Sequence, residues 1–269
     1  MSGQAEAALP QPCLSALIER LRAAGCVFAE EEAAALLHFT RDPLSVERLT
    51  QRREQGEPLE HVVGHVEFGG LHLVVGPRVF VPRQRSLLLA RLAAVVARSQ
   101  PGPVLLEAYA GVAPIACAVA SVVPHVETHA SDIDPRATRY ARRNLPPSAG
   151  VHCGHLLDPT PRALRRRVTL LVAVPPYVPL AAAELLPREA REHEPPGALF
   201  GGVDGLDHVR ELVDGARPWL APDAHVLVEL HSGQYGAAAA HAERASFTTR
   251  RHDGDDGHTT VLDLVAGAA

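Results

Sequence analysis

The chain has 269 residues, 46% apolar and 21% charged, enough for one large domain or a main domain with a small attachment. Its net charge of -5, from 26 basic and 31 acidic residues, argues against a nucleic-acid binder held by phosphate attraction. No residue is lysine and the sole asparagine is Asn144, a bias of the kind that GC-rich coding produces.

Met1 to Gln11 has neither a basic patch nor an apolar run, so no secretory signal is expected. The charge-free stretch from Ala108 to Pro124 is interrupted by Gly111, Pro114 and Ser121, and falls short of the ~20 apolar residues of a membrane span. Cys13, Cys26, Cys117 and Cys153 lack Cys-x-x-Cys spacing. They read as reduced, mostly buried thiols of a cytoplasmic protein, with no zinc site and no disulfide frame.

From Cys13 to about Gln55 the apolar period is helical, as in Leu14, Leu17, Ile18 and Leu21, with breaks at Gly25 and Asp42-Pro43. About three helices are expected, forming a small N-terminal helical domain over residues 1–58. Between His61 and Val81, residues such as Val62, Val66, Phe68, Leu71 and Leu73 alternate loosely with polar ones around Gly69-Gly70. That pattern predicts a β-hairpin connector over residues 59–82.

Residues 83–269 change rhythm. Helices are predicted from Ser86 to Arg98, Pro114 to Val122, Pro135 to Asn144, Pro161 to Arg167, Asp207 to Arg217 and Gly236 to Ala245. Strands are predicted from Val104 to Leu106, Glu127 to Ser131, near Val151, Val168 to Val174, His225 to Leu230 and Thr259 to Val265. Alternating helices and apolar strands imply an α/β, Rossmann-like, mostly parallel sheet covered on both faces. Such sheets bind ligands beyond the carboxyl ends of their strands.

At that end the first strand leads through Glu107 into Tyr109, Gly111 and Ala113, and the second closes on Asp132. An acid there can accept hydrogen bonds from both hydroxyls of a ribose. The plainer readings are Glu107 as a partner for a helix N-terminus and Asp134 as the cap before Pro135. The fourth strand runs into Val174-Pro175-Pro176-Tyr177, where the prolines stiffen the chain and hold an aromatic ring at the strand mouth.

Several stretches in one order resemble the release-factor glutamine methyltransferases. They are Gly56 to Leu59, Gly64 to Gly70, Val79 to Arg83, Asp132 to Pro135, Pro176 to Pro179, Glu189 to Pro195 and Gly201 to Asp207. The resemblance covers about Gln55 onward. It implies S-adenosylmethionine as cofactor and a seven-strand class I methyltransferase sheet with a reversed last strand. It also implies cofactor contacts from Glu107, Tyr109, Gly111, Asp132, Ile133, His155 and Val174. Acceptor contacts are implied for Phe80, Arg83, Val174, Pro175, Pro176 and Tyr177, and catalytic roles are expected of Tyr177, His193 and Glu194.

The chain departs from the family's pattern at two places. The family's Asp-x-Gly-x-Gly-x-Gly turn reads Glu107-x-Tyr109-x-Gly111-x-Ala113, so the Tyr109 ring either swings out to line the acceptor pocket or weakens cofactor binding. The family's Asn-Pro-Pro-Tyr begins instead with Val174, which cannot grip an amide. Two smaller changes put His155 where the family has an adenine-contacting acid, and Leu87 where it has another acid.

The leading expectation is a methyltransferase acting on a small specialised metabolite, with an indole ring carbon as the named candidate. The alternatives are the family's release-factor glutamine activity and a non-catalytic pseudo-methyltransferase that only binds. The expected partner is a small-molecule acceptor, or release factor under the first alternative, with no nucleic acid, membrane or metal. His61 and His65 lack a third ligand, Arg162 and Arg165 to Arg167 read as a solvated face, and Asp253 to Gly257 read as a hairpin loop rather than a calcium site.

Overall fold

The computed structural model describes residues 11–40 and 42–266, with side chains from Leu14 onward, so the Cys13 side chain lies outside what is described. Three helices open the chain: α1 (Gln11–Ala23), α2 (Ala29–Phe39) and α3 (Pro43–Glu54). The carboxylate of Asp42 accepts the amide of Ser45 at 2.9 Å, and Pro43 occupies the first turn, so α3 starts where its sequence signals put it. Leu17, Leu21, Ala33, Leu36 and Leu49 form a small core, closed by Val62 and Val63 of α4 (Leu59–Val63).

Strands β1 (His65–Phe68) and β2 (Leu71–Val74) pair antiparallel through Phe68 and Leu71. The linking Gly69 and Gly70 have φ of 58° and 82°, the left-handed pair that a two-residue hairpin turn needs. Next come α5 (Leu87–Ser99), β3 (Val104–Ala108), α6 (Pro114–Val122), β4 (Glu127–Asp132), α7 (Pro135–Asn144), β5 (Gly150–Cys153) and β6 (Val168–Ala173). The chain continues through α8 (Arg188–His193), α9 (Asp207–Ala216), β7 (Leu220–His231), α10 (Tyr235–Arg244), β8 (Phe247–Asp253) and β9 (Thr259–Ala266).

Seven strands form one sheet in the order β5-β4-β3-β6-β7-β9-β8, and only β9 opposes its neighbours. Alternate side chains feed two cores. Leu105, Leu170, Val172 and Leu227 meet α5 to α7 on one face; Leu106, Leu171, Val226 and Val228 meet α9 and α10 on the other. This is the class I methyltransferase sheet, with its reversed strand inserted next to the edge.

Four expectations need correction. Pro161 to Arg167 forms only a 3-10 turn, Arg162–Leu164, because Arg165 turns extended and Arg166 takes a φ of 57°. Strand β7 begins at Leu220 rather than His225, across an irregular register between Val168 and Leu170. Strand β8 was not predicted at all: it is a polar edge strand with only Phe247 buried. Cys26 and Cys117 are free and buried, but Cys153 is free and exposed.

Asn144 ties the hairpin to the sheet. Its Oδ1 accepts the Val74 amide at 2.8 Å, while Nδ2 donates to the carbonyls of Val74 and Val112, each at 3.0 Å. Among the described residues no helix is long and apolar enough to cross a membrane.

Candidate active site

Beyond the carboxyl ends of β3, β4 and β6 lie two contiguous clefts, spanning about 880 and 750 Å³ with the open solvent at their mouths included. Phe80, Arg83, Val174, Pro176 and Ala198 line both, so one wall separates them and serves each. The larger cleft is floored by the turn after β3, and the smaller by the Pro175-Pro176-Tyr177 segment after β6.

The turn keeps a glycine conformation without its glycines. Tyr109, Gly111 and Ala113 have φ of 52°, 56° and 63°, all left-handed. Only Gly111 adopts this freely; for the other two it costs roughly 1–2 kcal/mol each. The Tyr109 ring swings toward α9, tilted against His208 with centroids 5.4 Å apart, and its hydroxyl donates to the His208 carbonyl at 3.4 Å. It still borders the larger cleft, but not the smaller one.

Two carboxylates fix this turn. Asp132 accepts the Gly111 amide at 2.7 Å through Oδ2 and the Asp134 amide at 2.8 Å through Oδ1. Burial pushes its carboxyl above the usual range, and those two amides oppose the shift. Glu107 accepts the amides of Ala116 at 2.7 Å and Ile115 at 3.3 Å, so the plainer reading, a partner for the N-terminus of α6, holds. Burial raises its carboxyl to about 8. Asp134 caps α7 through the Arg136 amide, as its sequence setting suggested.

At the second departure Val174 lines both clefts with a side chain made only of carbon, where the family's pattern has a carboxamide. Pro175 and Pro176 are buried, and the following residues are held by backbone hydrogen bonds of Val178 with Leu199 and Gly201. Gln234 donates to the Tyr177 carbonyl at 2.9 Å. The Tyr177 ring therefore stands on a fixed chain at the edge of the smaller cleft.

Of the predicted residues, Phe80, Arg83, Glu107, Tyr109, Gly111, Asp132, Ile133, Val174, Pro175, Pro176 and Tyr177 all line one or both clefts. The exposed Ile133 side chain offers an apolar face there. Three residues do not line either cleft. His155 is largely exposed, with Nε2 3.3 Å from Glu211. His193 turns toward Gly56 and the segment carrying Glu57 and His61, with its buried Nε2 unpartnered among the described residues. Glu194 sits behind the wall, its fully buried carboxylate accepting from Arg83. Burial raises Glu194 to about 7, against the pull of Arg83.

A further buried acid escaped sequence reasoning. Glu229, in β7, has no exposed surface; its Oε1 accepts the Tyr177 hydroxyl at 3.3 Å and lies 3.6 Å from Arg85 Nε. Its Oε2 has no hydrogen-bond partner among the described residues. Burial pushes this carboxyl upward, while Ser86, Arg85 and Tyr177 draw it down.

No family model matches the chain. It is 39% identical to the release factor glutamine methyltransferase of Streptomyces coelicolor, over 69% of its own length and 66% of that enzyme's. It is 35% identical to the Mycolicibacterium smegmatis enzyme of the same name, over 81% and 80% of the two chains. It is also 34% identical to the 4-amino-L-phenylalanine/4-methylamino-L-phenylalanine methyltransferase of Streptomyces pristinaespiralis, over 71% and 66%. Among solved structures, a methyltransferase from Pyrococcus furiosus shares the fold with a TM-score of 0.55 at 16% identity, over 74% of this chain and 91% of that one. With its sheet order, its two clefts and these relatives, the chain belongs to the release factor glutamine methyltransferase family, whose members are S-adenosylmethionine-dependent methyltransferases.

Proposed function

We propose that the chain methylates a small aromatic acceptor rather than a glutamine side chain. One observation carries this reading: Val174 lies on the wall common to both clefts, and its side chain can offer no hydrogen bond there. A buried carboxamide facing it would lose a partner, at a cost of roughly 1–3 kcal/mol. A flat ring loses nothing against valine and gains contact with the prolines and the Tyr177 ring.

The donor set of the larger cleft fits the cofactor. Each Asp132 oxygen takes one backbone amide and keeps a second lone pair for a ribose hydroxyl. Ile133 supplies an apolar face for the base, and the left-handed turn at Gly111 lets the backbone approach closely. When bound, S-adenosylmethionine supplies the electrophilic methyl group. The chain's own contribution is then to orient the acceptor, exclude water and remove a proton. His155 and His193 fall outside this assignment, and Glu194 acts on Arg83 as a positioning residue.

Within the aromatic class, an indole ring carbon and a ring-borne amine are the two acceptors the mouth suits. The relative named for methylation of 4-amino-L-phenylalanine and its 4-methylamino derivative supports an aromatic acceptor. The second reading, methylation of release factor, is favoured by the names of the other relatives. Mass spectrometry of the purified protein with cofactor separates them. The panel is tryptamine, N-acetyltryptamine, L-tryptophan, 4-amino-L-phenylalanine and a release factor. A methylated aromatic with an unmodified release factor is expected; the reverse pattern overturns the proposal.

A further inference from the structure

Glu229 is costly where it stands. It is a carboxyl with no exposed surface, set in an otherwise apolar run of β7, with one oxygen lacking any partner among the described residues. An unsatisfied buried oxygen of this kind is destabilising, and more so when charged. Its other oxygen is tied to the one acceptor-cleft side chain that carries a hydroxyl, Tyr177. Three residues face it from two segments: Arg85 and Ser86 from the turn before α5, and Tyr177 from the chain after β6. Arg85 also lies over the Tyr177 ring, 5.8 Å from its centroid.

On the aromatic-acceptor reading, we propose that Tyr177 and Glu229 form a proton relay, with Tyr177 receiving the proton of the methylated acceptor and Glu229 storing it. An aromatic nitrogen or indole acceptor carries one positive charge once it holds the extra methyl. Its N–H bond then breaks, leaving the electron pair on the acceptor, and an O–H bond forms at Tyr177 Oη. In concert the original Tyr177 proton passes to Glu229 Oε1. The acceptor and the carboxylate each end neutral, and no other reactant is needed.

The surroundings suit both states of the relay. Arg85 and Ser86 favour the carboxylate, and burial favours the neutral form. Tyr177 touches the acceptor and is the catalytic residue; Glu229 acts through it.

Two variants and two readouts test this. In Glu229→Gln and Tyr177→Phe, kcat for a methylated member of the aromatic panel should fall about 100-fold or more, the range expected for a lost base. Affinity for S-adenosylhomocysteine should stay within about threefold, and the double variant should lose no more than either single one, because the two groups act as a unit. The wild-type rate should fall at low pH and the Glu229→Gln rate should not. Independently of any acceptor, difference infrared spectroscopy should show a protonated-carboxyl band that persists above the ordinary carboxylate range and is absent from Glu229→Gln.

An aromatic methylated equally fast by Glu229→Gln, or a wild type without that band, overturns the relay alone. Methylation of release factor with no aromatic product, or of nothing at all, overturns the aromatic reading and the relay with it.

Discussion

The turn after β3 and the segment after β6 have both lost residues that the family's pattern requires, yet they respond differently. At the turn the glycines are replaced by Tyr109 and Ala113, and the backbone keeps the left-handed shape regardless. At the acceptor mouth the backbone is held rigidly through Val178, Gly201 and Gln234, and what has gone is a functional group. A conformation can survive substitution at some energetic cost, because neighbouring contacts impose it. A missing carboxamide cannot be restored by conformation. On the proposed reading, the first change spares the cofactor cleft and the second changes the acceptor.

The largest effect that would sharpen this contrast is at Asp132. Asp132→Ala removes the proposed ribose acceptor and the Gly111 amide's partner together, and charged hydrogen bonds are worth about 1.5–3 kcal/mol each. Calorimetry with S-adenosylhomocysteine should show affinity lower by about 100-fold or more; a loss under tenfold would put the cofactor elsewhere. Next in size is Asn144→Ala, which strands the amide and carbonyl of Val74 and the carbonyl of Val112. Stability should drop by about 2–3 kcal/mol in chemical denaturation, and an unchanged midpoint would mean the hairpin is not held through this side chain.

A pH effect follows from Glu107. Burial raises its folded-state carboxyl to about 8, so the stability tied to its neutral form is whole below the ordinary carboxylate range. That stability is lost as pH rises through about 8. Glu107→Gln fixes the neutral form, so its melting temperature should gain on the wild type between about pH 5 and pH 9. Parallel curves would show that Glu107 is already charged at neutrality. The smallest expected effect is at the turn. Tyr109→Gly should change S-adenosylhomocysteine affinity by less than about threefold, since the backbone already has the glycine shape. A tenfold gain would instead mean that the ring obstructs the cleft.

Much of this architecture was legible in the residues. Helices α6 and α7 begin at prolines that cannot sit deeper in a helix, and the apolar run through Val168 to Ala173 announced a strand buried on both faces. Edge strand β8 was not legible, because Thr248 to Asp253 alternate without an apolar face. The helix expected over Pro161 to Arg167 failed because nothing in a run of arginines signals that Arg166 turns left-handed.

At the site, sequence order found the cleft walls, but two of the three residues expected to be catalytic line neither cleft. His193 and Glu194 adjoin a wall residue in the chain, yet they point away from the cleft or behind it. Glu229 gave no signal, because a glutamate between Val228 and Leu230 reads as the outward position of an alternating strand. Only the topology, which sets β7 beside β6, brings it under Tyr177.

The acceptor change is tested most directly by comparing kcat/KM for N-acetyltryptamine and for release factor in the wild type and in Val174→Asn. The wild type should favour the aromatic, and restoring a carboxamide should move the ratio toward release factor by about tenfold or more, the worth of one buried hydrogen bond. A wild type that already favours release factor, with a ratio indifferent to Val174→Asn, would contradict the account.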